Sequence, residues 1–195
     1  VLFLPRALAH VVAGGDAENV AQRLFLRHPA RLLADDDDEL AFASHRFATL
    51  EINGSFYSLQ RPEYYQRWHD ETPEGFVFAV KGPRFVTHML KLRGIEPAMA
   101  NFYASGVANL HAKLGPFLWQ FAPTKKFDAD DFAAFLAMLP AKLEGLRLRH
   151  AVEVRHPSFA TPQFIALLRQ HQTPVVFAEH ETYPGIADLT GDFIY

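Results

Sequence analysis

The chain has 195 residues, is 49% hydrophobic and carries a formal charge of -3, so it can bury the core of one large domain. There are no cysteines, which excludes disulfides and thiolate metal sites, and there is no basic excess to suggest nucleic acid or anionic membranes. No window approaches the roughly 18 uninterrupted apolar residues of a membrane span. The opening "VLFLPRALAHVVAGG" is broken by Pro5, Arg6 and His10 and does not read as a signal peptide, so a cytoplasmic protein is expected.

The first fifty residues hold one legible element. "ADDDDELAFASHRF" reads as a helix started by the acidic run at 35–38, with Leu40, Ala43 and Phe47 on one face, or equally as an acidic loop before a shorter helix. From Thr49 the pattern becomes regular. Strands are expected at 49–53, 76–81, 117–121, 151–155, 175–179 and 192–195. Between them lie expected helices: "RPEYYQRWHDE", residues 98–114 stopped by Gly115 and Pro116, "DADDFAAFLAMLP" capped by Asp128, and "TPQFIALLRQHQ" with Thr161 as N-cap. Strand and helix in alternation imply parallel strands joined by crossovers. No glycine-rich phosphate loop follows an early strand, which disfavours a dinucleotide-binding sheet and leaves an α/β, TIM-like (β/α) barrel as the expected fold.

Parity along the strands selects the site candidates. Leu50, Ile52, Val80, Val152 and Val154 alternate with Glu51, Asn53, Lys81, Glu153 and Arg155, and Gln120 opposes Trp119. In a barrel the first set faces the helices and the second the interior. Two glutamates, a lysine and an arginine then share one interior at the carboxyl ends of the strands, where such barrels carry their active sites. Unpaired charges there would be prohibitively costly, so mutual pairing is expected.

Each candidate has a chemical and a structural reading. Lys81 is expected to bind an anion, to form a Schiff base, or simply to pair with Glu51 or Glu153. Arg84, three residues on, would complete an anion clamp or lie on the surface. Glu51 and Glu153 form either an acid–base pair or an ion-pair lattice with Lys81 and Arg155. Asn53, Ser55 and Tyr57 offer uncharged hydrogen bonds, unless Gly54 makes this a plain turn. His88, His156 and His180 each follow a strand; with Glu153 or Glu179 they could ligate a divalent metal, but no paired-histidine spacing supports it. His156 is the better candidate for a general acid/base, or for a hydrogen-bonded turn residue. Tyr57, Tyr64, Tyr65 and Trp68 could stack a ring, though their helical spacing suits a core.

The segments "EINGSFY", "FAVKGPRFVTH", "KLGPFLWQFAP", "AVEVRHPSF" and "TGDFIY" together resemble the YecE-like family, also called domain of unknown function 72. The resemblance runs from Phe42 to Tyr195 and implies a TIM-like barrel without implying an activity. Two departures stand out. The family's opening strand of the Gly-Thr-Ser-Gly-Trp type is missing, and the family pattern continues past the final tyrosine. A single domain over 1–195, a barrel with six or seven of its eight strands, is therefore expected.

The leading functional expectation is an enzyme or binder for a small polar or anionic ligand. The catalytic candidates are Glu51, Lys81, Glu153 and His156; the ligand-binding candidates are Asn53, Tyr57, Arg84, His88, Gln120 and Arg155. No cofactor and no metal ligands are assigned. The alternatives are a metal-dependent hydrolase or phosphodiesterase acting on nucleic acid, and a non-catalytic structural or binding barrel. Oligomeric state is left open.

Overall fold

The computed structural model describes residues 37–178 and 180–195. The candidate first strands "VLFLP" and "LFLR", and Glu179, lie outside the described residues. Helix α1 (Asp37–Ser44) forms as the acid-started helix, burying Ala43 and packing Leu40 at the margin of the core.

Four strands make one parallel sheet: β1 (Thr49–Ile52), β2 (Val77–Lys81), β3 (Leu114–Gln120) and β6 (His150–Glu153), in the order β1-β2-β3-β6. The one-turn α2 (Gly54–Tyr57) and α3 (Pro62–Asp70) connect β1 to β2. A π-turn (Phe85–Met89), α4 (Glu96–Tyr103) and a 3-10 segment (Val107–Lys113) connect β2 to β3. Helix α5 (Ala129–Met138) and a hairpin of β4 (Lys142–Leu143) and β5 (Leu146–Arg147) lead to β6, and α6 (Pro162–Gln170) follows. Asp128 and Thr161 cap α5 and α6 as their sequence positions predict, each accepting a backbone N–H in the first turn.

Register confirms the parity argument. Glu51 pairs with Ala79, Lys81 with Leu118, and Gln120 with Glu153, so these residues share one face. The opposite face presents Ile52, Phe78, Val80, Phe117, Trp119 and Val152 to the helices, all buried. There the phenylalanines fill the core edge to face: Trp119 meets Phe102 at 5.8 Å and Phe135 at 5.6 Å, and Phe132 meets Phe164 at 5.4 Å. Truncating such a ring to alanine costs about 3–5 kcal/mol. The charged face has its own apolar floor, since Ala79, Leu118 and Ala151 are at most 2% exposed. Apolar residues deeper along the strands and polar ones at their ends make a polar layer on a dry base.

The structure departs from the expected barrel in four places. The sheet of the described residues is open, with four strands rather than six. Residues 175–178 supply a single parallel bridge, Val175 to Val152, and 192–195 supply one backbone bond, from the Phe177 N–H to the Tyr195 carbonyl at 3.0 Å. Neither segment gains a full ladder. The expected 98–114 helix breaks at Gly106, whose φ of 93° is left-handed and whose Cβ would lie 2.6 Å from Pro62. Strand β3 starts earlier than expected, at Leu114, and takes up Gly115 and Pro116 in a bulge where Phe78 to Val80 spans Leu114 to Phe117. The β4–β5 hairpin went unforeseen: Glu144 and Gly145 both adopt positive φ, 48° and 84°, as a type I′ turn requires.

Candidate functional site

The site begins with the turn after β1. Ser55 is fully buried, and its hydroxyl donates to the Lys81 carbonyl at 2.7 Å while lying 3.0 Å from the Ile52 carbonyl. It therefore pins the ends of β1 and β2 together and is not free for a ligand. Gly82 is equally constrained. A Cβ there would sit 2.4 Å from the Trp119 ring, so the chain leaving Lys81 can pass only as glycine.

On this frame the two glutamates take different partners. Glu51 lies 3.7 Å from the Lys81 ammonium through Oε1, and its Oε2 accepts the Tyr195 hydroxyl at 2.6 Å. Glu153 accepts Arg155 Nε at 2.8 Å through Oε1 and Gln120 Nε2 at 2.7 Å through Oε2. Glu153 is thus held on both oxygens. Lys81 is held loosely, by one ion pair longer than a hydrogen bond. The terminal nitrogens of Arg155 make no hydrogen bond among the described residues. Its guanidinium lies 4.9 Å from the Tyr183 ring, and Lys81 lies 5.1 Å from the Phe56 ring.

The two pairs form one cluster. Burial raises the Tyr195 phenol well above its ordinary value, and the charge of Glu51, the hydrogen bond to it and then the charge of Glu153 push it further. His88 is pushed down, first by burial and then by the positive charges of Arg155, Lys81 and Arg84. The charge of Glu153 opposes this in part, and the lowered value keeps His88 neutral near pH 7. Its Nδ1 is 2.9 Å from Thr87 Oγ1, and its ring meets Phe56 edge to face at 5.1 Å.

The remaining candidates are placed less centrally. Arg84 is exposed, stacks over Tyr57 at 5.3 Å, and makes no ion pair among the described residues. Tyr57 is 57% exposed. Asn53 is half-buried at the start of α2 but forms no side-chain cap. His156 serves its turn: Nδ1 accepts the Ser158 N–H at 3.1 Å and lies 2.8 Å from Ser158 Oγ, which itself accepts the Phe127 N–H. With the Ser158 hydroxyl accepting from Phe127, its proton is free to point at Nδ1. That lone pair is thereby occupied, and Nδ1 is unavailable as a base. His180 stacks on Tyr183 at 4.2 Å, away from His88 and His156 in sequence and role. Among the described residues no three His, Asp or Glu side chains gather in a metal-holding group.

Sequence reasoning missed Tyr195. The segment "DFIY" reads as a strand, and the same parity that selected Glu51 could have selected its terminal phenol. Phe56 and Tyr183, the rings beside the cations, carry no such signal, because their contacts depend on how turns fold back.

Comparison with known proteins supports the fold. The UPF0759 protein YecE of Escherichia coli (strain K12) is 31% identical over 121 residues, covering 60% of this chain and 41% of that protein. The UPF0759 protein YunF of Bacillus subtilis (strain 168) is 32% identical over 130 residues, covering 64% of this chain and 44% of that protein. The matches thus span less than half the length of these curated relatives. Crystal structures of DUF72 family proteins are similar: one from Enterococcus faecalis V583 with a TM-score of 0.64 at 20% identity, covering 80% of this chain and 67% of that one. Another, from Thermotoga maritima MSB8, gives 0.66 at 23% identity, covering 80% and 62%. Among the described residues no helix is long and apolar enough to cross a membrane. The model of the family described as "Protein of unknown function DUF72" matches residues 21–195, and with its parallel α/β sheet and the charged layer at the strand ends the chain belongs to that family.

Proposed function

We propose that the chain binds a small polar anion at the carboxyl ends of its parallel strands, with Lys81, Arg155 and Arg84 as the anion-binding groups. The observation that carries this reading is unused donor capacity on one face of the sheet. Glu153 is held on both oxygens, Arg155 keeps its terminal N–H groups, and Lys81 has only its 3.7 Å contact with Glu51. An incoming phosphate or carboxylate oxygen would replace the loose Lys81–Glu51 contact and take the Arg155 terminal N–H groups as charge-assisted bonds. Gln120 and Glu153 would hold Arg155 in place. Glu51 and Tyr195, already sharing a proton contact of 2.6 Å, are the pair able to exchange a proton with a bound ligand.

Calorimetric titration with inorganic phosphate at low salt tests the reading. Saturable binding is expected, weakened tenfold or more in Lys81→Met and in Arg155→Met, and weakened by added chloride. Absence of binding up to about 10 mM phosphate, which corresponds to less than roughly 3 kcal/mol, would overturn it.

A further inference from the structure

Beside the cation cluster lies a cleft of about 460 Å³ between α2, the π-turn and α4. Its exposed wall is apolar: Tyr57 is 57% exposed, Leu59 47%, Phe85 47% and Met89 63%. Large side chains this exposed and this close together are unusual on a surface without a binding role. Phe85 and Met89 stand at the two ends of the π-turn, a rare geometry that recurs at functional sites.

Two residues join this cleft to the charged layer. Phe56 lines it and also meets Lys81 at 5.1 Å and His88 at 5.1 Å. Arg84 lines it and stacks over Tyr57 at 5.3 Å, with no carboxylate partner among the described residues. A cation without a carboxylate partner among the described residues thus stands at the mouth of an apolar cleft, and two touching rings, Tyr57 and Phe56, connect it to a second cation, Lys81. We propose that the ligand of the anion site is amphipathic: an anionic head on Lys81, Arg84 and Arg155, and a flat apolar group, such as an aromatic ring, in the cleft. The proposal rests on the anion-site reading and adds its ligand class. Methionine suits such a wall because its thioether adapts to a ring edge, and Arg84 serves both halves by pairing with the head and stacking on the ring.

Matched titrations with inorganic phosphate and phenyl phosphate separate the two claims. Phenyl phosphate is expected to bind about tenfold or more tighter, the gain expected from burying one ring. Met89→Ser and Leu59→Ser, both at exposed positions, are expected to shrink that ratio toward one. Methyl resonances give a second readout, since the chain has only three methionines. That of Met89 is expected to move upfield with phenyl phosphate and not with phosphate. Equal affinities for the two probes would overturn the amphipathic ligand and leave the anion site standing. Binding of phenyl phosphate that ignores Lys81→Met and Arg155→Met would overturn both, as would binding of neither probe.

Discussion

His150, a single buried ring, is expected to make the protein acid-labile. It lies on the helix-facing side of β6, stacked on Phe117 at 5.5 Å and near Trp119 at 6.5 Å. Nδ1 accepts the Trp119 indole N–H at 3.2 Å, and Nε2 donates to the Pro140 carbonyl at 2.9 Å. The neutral imidazole therefore satisfies both neighbours. A proton added at Nδ1 would place two donors face to face in a dry core. Burial lowers the His150 pKa from 6.5 to about 4, opposed in part by the Pro140 bond. Because the folded value lies below the unfolded one, the unfolded chain binds the proton first. The neutral state's contribution is complete above pH 6.5 and is lost as pH falls toward 4. Linkage with these two values gives a loss of about 2 kcal/mol by pH 5 and about 3 kcal/mol by pH 4. Urea melts at pH 8, 5 and 4, on the native chain and on His150→Gln, check this. Gln is less stable at pH 8, having lost the ring stacking, but the other titrating groups are common to both proteins. The stability gap should therefore close by about 2 kcal/mol between pH 8 and pH 5, with unchanged slopes. Parallel pH profiles for the two proteins would refute the argument and place the acid sensitivity in other groups.

Gly82→Ala forces a methyl against the fully buried Trp119 ring and should destabilise by about 1–3 kcal/mol, read as a lower urea midpoint. Glu153→Leu strips both Gln120 and Arg155 of their acceptor and should cost about 2 kcal/mol or more, whereas Lys81→Met, losing only a 3.7 Å pair, should cost less than about 1 kcal/mol in thermal melts. Equal losses for the two would favour a purely structural charge lattice. Lys113→Met removes the buried ammonium that caps α3 through the Thr72 carbonyl at 2.6 Å and the His69 carbonyl, and should lower stability by about 1–3 kcal/mol without altering phosphate affinity.

The four strands of the parallel sheet were legible in the sequence because a half-polar parallel strand writes its two faces at alternate positions. Glu51, Lys81, Gln120 and Glu153 could be assigned to one side by counting, and sheet register keeps them there, while Arg155, beyond the end of β6, is held by Glu153. The caps Asp128 and Thr161 were equally local, needing only a side-chain oxygen and a nearby N–H. Other features depended on parts of the chain that sequence proximity does not connect. Position 106 accepts only glycine because Pro62, far upstream, occupies the space of a Cβ. Ser55 became a strap and not a ligand group because β2 ends beside it. His156 lost its candidacy as a base at Nδ1 because Ser158, itself held by Phe127, occupies that nitrogen. Tyr195 entered the site across 144 residues. Periodicity fixes which face a side chain takes, since that follows from backbone geometry. Which partner waits there is decided by packing, since contacts between distant segments exist only once the sheet and its turns have closed around them.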